Sequence, residues 1–313
     1  MRVAAIQMKA DLANVDANLK KTKGLAEDAF KDGAECVILP EFFTSAAGFN
    51  KKMLKAALPL HGPAMDMLTS MAKTYNGMMG GSYIAWHGKD SYNTFVLAMP
   101  DGTTYFHNKD LPTMWENCYY VGGSDDGILK TPSLRVGVAM CWEFIRSQTA
   151  RRLINRIDLV VGGSCWWTLP KKRLPGFPKT LHDSNVKVMK ETIPRFAKML
   201  GVPIIHAAHA GEVDCGLPLL PGFPYQSYFL GETQIVDGAG NQLAHMGWED
   251  GDGFIMADID VGRKHPPSEN IPESFWIPDL PLQFRLIWAY QNWHGKRYYK
   301  KKTRQLMTRQ FGA

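Results

Sequence analysis

Hydrophobic and polar positions along this chain switch repeatedly between strand spacing and helix spacing. Val3 to Met8 is a short apolar run. Asn14 to Asp32 follows with Val15, Leu19, Ala26 and Phe30 at helical intervals, and Gly33 stops it. Cys36 to Leu39 is a second continuous apolar run, the pattern of a strand buried on both faces. Met65 to Tyr75 reads as a helix, and Met79 to Trp86, Thr94 to Met99 and Thr103 to Lys109 read as strands punctuated by turns such as Asp101-Gly102. Val136 to Met140 is another buried strand, Ser147 to Arg156 a helix and Leu159 to Val161 a strand. A long helix over Asn185 to Leu200 ends at Gly201, and strands follow at Val202 to Ala208, Gln226 to Asp237 and Phe254 to Asp260. Strands alternating with helices predict an α/β protein with helices packed on a sheet. Pro and Gly between Leu169 and Pro178 predict a long loop. From Pro266 the periodicity dissolves, so residues 1–265 are expected to form one domain and 266–313 an extension contacting another subunit.

Composition narrows the class. A 45% hydrophobic and 21% charged chain can fill a core, which excludes disorder. The net charge of +6 suggests nucleic acid until its location is noted. Much of it lies in Lys296 to Arg304, which reads as a solvated or subunit-wrapping tail without a binding platform. Five widely spaced cysteines with no C-x-x-C pair argue against a disulfide framework or structural zinc. No apolar run reaches membrane-span length, and the first residues read as a strand. A reducing cytoplasm is the expected compartment, with neither nucleic acid nor membrane as partner.

Three polar residues stand at the carboxyl ends of predicted strands: Glu41, Lys109 and Cys141. Ligands bind at such ends in open α/β sheets. A thiol attacks as thiolate and needs a base or a nearby cation. A carboxylate can take its proton and pass it to a leaving nitrogen, and an ammonium can stabilise an oxyanion. Each residue alone has a plainer reading. Cys141 could be a small core residue, Glu41 a helix-start carboxylate and Lys109 a solvated loop lysine.

Five segments in order carry a resemblance. They are Val3-Ala4-Ala5-Ile6-Gln7, Leu39-Pro40-Glu41-Phe42-Phe43, Lys109 to Glu116, Val136 to Glu143, and Gly231 to Gly240. Together they resemble the nitrilase superfamily of carbon–nitrogen hydrolases. The resemblance implies a four-layer αββα sandwich that forms a homodimer or a higher homo-oligomer. It implies a catalytic triad of Glu41, Lys109 and Cys141, and a second glutamate, Glu116, that orients Lys109 or assists proton transfer. The N–H of Trp142 is the implied oxyanion partner of Lys109. No metal or organic cofactor is implied.

Lys-x-x-Pro-Thr-x-x-Glu and Cys-Trp-Glu resemble the true nitrilases more than the amidases. Phe144-Ile145-Arg146 after the Cys-Trp-Glu run, and the absence of a basic residue after Glu116, keep an amide as the alternative substrate. An inactive scaffold is a further alternative, which an intact triad opposes. Trp142, Trp166 and Trp167 are candidate substrate-binding residues, with core packing as the plain reading of the last two. Cys165 is a decoy nucleophile. His206 and His209, three apart on a strand, would face opposite sides and so serve structure rather than one metal. His107 reads as a strand residue with a satisfied ring, and Glu143 as structural. Gly162-Gly163 lacks the context of a phosphate loop.

Overall fold

The computed structural model describes residues 1–168, 181–217, 220–274 and 282–312, so the loop expected over 169–178 lies outside the described residues. Among the described residues there are thirteen strands: β1 Arg2–Met8, β2 Cys36–Ile38, β3 Leu58–Pro59, β4 Met78–His87, β5 Asp90–Ala98, β6 Thr104–Asn108, β7 Ile128–Lys130, β8 Arg135–Met140, β9 Leu159–Ser164, β10 Ile204–Leu217, β11 Leu220–Val236, β12 Gln242–Gly247 and β13 Gly253–Asp258. The helices are α1 Val15–Lys31, α2 Pro63–Tyr75, α3 Ser147–Leu153, α4 Leu181–Leu200, α5 Leu282–Tyr298 and α6 Arg304–Phe311. Asn14 caps α1 through its side chain, and Gly33 follows it in the left-handed region at φ 94°.

The strands pair in the order β6-β5-β4-β2-β1-β10-β9-β8-β7. Side chains of alternating parity separate the layers. Ala4, Ile6 and Met8 of β1 pack with Ala26, Phe30, Leu68 and Met71 of α1 and α2. Val3 and Ala5 join Phe95 and Leu97 of β5, Val136 and Val138 of β8, and Leu159 and Val161 of β9 in an inner core. Ala139, Val160 and Ile204 face Leu153 of α3 and Ile193, Phe196 and Leu200 of α4. The two halves of the sheet therefore fold face to face, with helices outside each. This is the αββα sandwich that the family resemblance implied.

Several elements differ from expectation. Strands β10 and β11 run well beyond the expected 202–208 and 226–237. Beyond Ala210, Val213 and Cys215 turn inward while Glu212 and Asp214 stay exposed, a period-two pattern that continues the antiparallel pairing. The segment after 266 contains helices. Between α5 and α6 the helix widens to π over Tyr299–Thr303. The cations of the basic stretch stay exposed, but Tyr299, Thr303 and Met307 are buried against the body. The Tyr299 hydroxyl accepts from the Ser91 N–H at 2.8 Å and donates to Asp90, and Thr303 donates to the Cys118 carbonyl at 2.5 Å. Part of the expected tail is thus folded onto its own chain.

One buried carboxylate ties the two halves together. Glu143 is fully buried. It accepts from the N–H of Met140 at 2.9 Å, the N–H of Asp110 at 3.0 Å and Arg152 at 2.8 Å. It also faces His107 Nε2 at 3.2 Å. The other ring nitrogen of His107 bonds Asp125. With a carboxylate at each nitrogen the ring carries both protons. Burial opposes the charge, but Glu143 and Asp125 outweigh it and raise the His107 pKa to about 9. Burial likewise pushes the Glu143 carboxyl up, and His107 and Arg152 more than reverse this, holding it well below the usual range. His107 is thus part of a charged cluster rather than a plain satisfied ring, and Glu143 is structural as expected. Removing one partner of a buried ion cluster strands the others. Glu143→Ala should therefore cost about 3–5 kcal/mol in a urea melt. A loss below about 1 kcal/mol, the range of a surface ion pair, would show that the cluster does not hold the halves together.

Candidate active site

Glu41 follows the short parallel strand β2, where Leu39 and Pro40 end the apolar run. Its carboxylate is fully engaged. Oε1 accepts from Lys109 Nζ at 2.8 Å and from Asn93 Nδ2 at 2.9 Å, and Oε2 accepts from the Cys165 N–H at 3.0 Å. Its carbonyl lies 2.7 Å from His209 Nε2. Burial pushes the Glu41 pKa up to about 7, with Lys109 opposing and Glu116 adding to the rise. Gly163 of β9 makes this packing possible, because a Cβ there would lie 2.7 Å from the Glu41 nitrogen.

Lys109 leaves the end of β6 and is fully buried. Its ammonium also meets Glu116 Oε2 at 2.9 Å and lies 6.0 Å from the Phe42 ring centre. Burial would lower its pKa, but Glu116 and Glu41 together hold it well above the usual lysine value. Glu116 sits in a single 3₁₀ turn, Met114–Cys118. The same Oε2 accepts from the Thr113 N–H at 2.9 Å, and the Tyr120 hydroxyl donates to it.

Cys141 opens a second 3₁₀ turn, Cys141–Ile145, directly after β8. It is buried and takes a left-handed φ of 51°. Burial and then Glu41 raise its thiol pKa well above the usual value, while Lys109 and the Trp142 N–H pull the other way. The resting group is a neutral thiol within the field of both charged neighbours. Phe42 and Met114 share the left-handed conformation, at φ 54° and 51°. Such backbone is uncommon for residues with a side chain and persists only where packing enforces it.

The structure thus joins Glu41, Lys109 and Glu116 in one hydrogen-bonded chain and brings Cys141 into their electrostatic reach. Trp166 packs in one apolar cluster with Cys141, and Trp142 lies against both Trp166, at 5.7 Å between ring centres, and Trp288, at 4.4 Å. Trp167 stacks on buried Trp115 at 4.1 Å and packs against the larger core. Cys165 contributes its backbone N–H to Glu41. His206 bonds Ser164 Oγ at 2.8 Å and faces the Glu232 carbonyl at 3.1 Å. Burial lowers the pKa of His206 to about 3 and of His209 to about 4, so both are neutral structural residues. Among the described residues no group of three or more His, Cys, Asp or Glu side chains could hold a metal ion. No described helix is long and apolar enough to cross a membrane.

Sequence reasoning did not single out Asn93 or Tyr120 for the site. Asn93 lies mid-strand in β5, where its inward direction follows from strand parity once the strand is placed. Tyr120 stands four residues beyond Glu116, and nothing local marks its hydroxyl as a partner.

Known proteins bear on this arrangement. The chain is 23% identical over 255 residues to a cyanide hydratase of Armillaria gallica, covering 76% of this chain and 70% of the relative. It is 28% identical over 193 residues to an omega-amidase of Bos taurus, covering 55% of this chain and 69% of the relative. A solved variant of the amidase from Nesterenkonia sp. AN1, with acrylamide added at its active-site cysteine, superposes with a TM-score of 0.63 at 19% identity. That match covers 83% of this chain and 93% of the other and speaks to fold alone. The model of the carbon-nitrogen hydrolase family matches residues 2–264, and the chain belongs to that family, within the nitrilase superfamily.

Proposed function

We propose that this protein hydrolyses a nitrile to a carboxylic acid and ammonia through a covalent intermediate on Cys141. The observation that carries the proposal is the buried Glu41–Lys109–Glu116 chain beside a neutral, buried thiol. Nothing in a structural core requires an ammonium between two carboxylates, because burying charge is costly even when it is paired.

Glu41 is the base. A carboxylate with a pKa near 7 can take a thiol proton during attack and return it afterwards. The Cys141 sulfur bonds to the nitrile carbon as Glu41 takes the thiol proton, and that proton passes to the nitrogen to give a thioimidate. Water adds, the nitrogen gains further protons and leaves as ammonia, and a thioester remains. A second water releases the acid and restores the thiol. Lys109, with the Trp142 N–H, stabilises the charge that develops when water adds. Its two carboxylate partners keep it charged and fixed in direction.

Nitriles are favoured because their nitrogen must collect protons from the first step. Glu116, bonded to the same ammonium as Glu41, gives the site a second carboxyl group for that traffic. The likeness to a cyanide hydratase supports this reading. The second reading is hydrolysis of a small amide, favoured by the likeness to an omega-amidase. There Glu116 serves only to hold Lys109.

Three outcomes follow. Cys141→Ala should keep the far-ultraviolet circular dichroism of the wild type, lose turnover, and show no acyl adduct by mass spectrometry; retained turnover, or an adduct on Cys165, would remove Cys141 from its role. Glu41 must be ionised to act as base, so kcat/KM should climb as pH rises through about 7. Glu116 raises the Glu41 pKa, so in Glu116→Gln that limb should move to lower pH; a limb that stays or moves upward contradicts Glu41 as the base. Finally, a nitrile and an amide with the same acyl group are compared by kcat/KM. The nitrile should be faster in the wild type and lose more in Glu116→Gln, and faster turnover of the amide would replace the first reading with the second.

A further inference from the structure

An open cleft of about 1310 Å³ lies beside the candidate site. Its body wall is built from the immediate neighbours of the candidate residues. Asp110, Leu111 and Pro112 follow Lys109, Tyr120 donates to Glu116, and Trp142 follows Cys141. Its opposite wall is one face of α5 and the turn after it. Arg285, Trp288, Asn292, Lys296 and Lys300 line it, spaced three or four residues apart.

The charge in the cleft is one-sided. Arg146, Arg285, Lys296 and Lys300 line it, against Asp110 as the sole acidic residue among the described lining. Asp110 is already held by Arg146 and Arg152. The helix dipole accounts for cations at the end of α5 but not for Arg285 in its first turn, where a cation is disfavoured. The floor between the walls is aromatic, formed by Trp142 and Trp288 where they meet, with Trp166 behind Trp142 and outside the lining. Trp166 packs beside Cys141, Trp142 lies against it, and Trp288 of α5 lies against Trp142.

We propose that this cleft binds the far end of the substrate's acyl chain, and that the end it selects is a carboxylate held by Lys296 and Lys300, which lie four residues apart on one face, while Arg285, further along the same wall, adds to the positive field of the cleft. The aromatic floor carries the apolar part of the chain, and the cations of α5 face the acid at the rim. A cleft lined by one sign of charge concentrates ligands of the other sign. The assignment rests on the hydrolase reading for where the scissile carbon lies, and deepens it by naming the substrate class as a nitrile or amide with a remote carboxylate.

The test uses a graded series of ω-cyano carboxylates, each paired with the methyl-ended nitrile of equal length, and the same pairs as amides. At the best length the anionic member should exceed its neutral partner at least about tenfold in kcat/KM, and the ratio should fall with added salt. In the Arg285→Gln, Lys296→Gln, Lys300→Gln triple variant the ratio should drop to within about threefold of one. The ratio is read because it cancels any loss of folded enzyme. Should the triple variant not fold, the single changes Lys296→Gln and Lys300→Gln, both on exposed side chains, must each lower it. A wild-type ratio near or below one at every length, or a ratio the variants leave intact, overturns the proposal. If neither nitriles nor amides are turned over at all, the hydrolase reading fails. The cleft is then decided by calorimetric titration of Cys141→Ala, where a dicarboxylate should bind more tightly than the monocarboxylate of equal length, and equal binding overturns it.

Discussion

The ammonium of Lys109, fully buried between Glu41 and Glu116, is the constraint on which the site depends. An isolated charge at that depth would not survive as a charge. It stays protonated because two carboxylates lie within 2.9 Å, and they in turn are held by Asn93, the Cys165 N–H, the Thr113 N–H and Tyr120. The partners arrive from β5, from the ends of β2, β6 and β9, and from the turn around Glu116, so the cluster forms only when those elements have met.

That requirement reaches into the topology. β6, which delivers Lys109, and β8, which delivers Cys141, lie near opposite ends of the strand order. They meet because the sheet halves face each other across an inner apolar core. Glu143 marks the meeting point, accepting from Met140 before Cys141 and from Asp110 after Lys109. The same carboxylate anchors the turn that holds Cys141 in its left-handed conformation. The backbone cost at Cys141, Phe42 and Met114 is carried by packing assembled elsewhere.

The electrostatics of the site follow from burial rather than from any special residue. The same dry surroundings that lift Glu41 to a pKa of about 7 keep the Cys141 thiol protonated at rest. A base near neutrality beside an uncharged nucleophile separates storage of the thiol from its use, since charge develops only when a substrate carbon is there to receive it. Lys109 restrains both shifts without abolishing them.

The buried parallel strands were legible in the sequence because strands covered on both faces read as near-continuous apolar runs, as in Val3–Met8, Cys36–Leu39 and Val136–Met140. Glu41 and Cys141 were legible because each follows such a run, Lys109 because it ends the strand read over Thr103 to Lys109, and the ordered motifs pointed to Glu116. The partnership of His107 with Glu143 was not, since it joins residues whose proximity depends on the two halves closing. Nor was α5. Its buried positions include Gln291 and Gly295, while Leu286 and Trp293 are 63% and 56% exposed, so no apolar stripe announces it. Gly295 is buried because the helix passes against Asn117 and Cys118, a fit that only the assembled body provides. Local hydrophobic pattern determined which segments became core strands and which polar residues stood at their ends. Long-range packing alone decided how deep those residues lie, which charges they share, and what lines the space beside them.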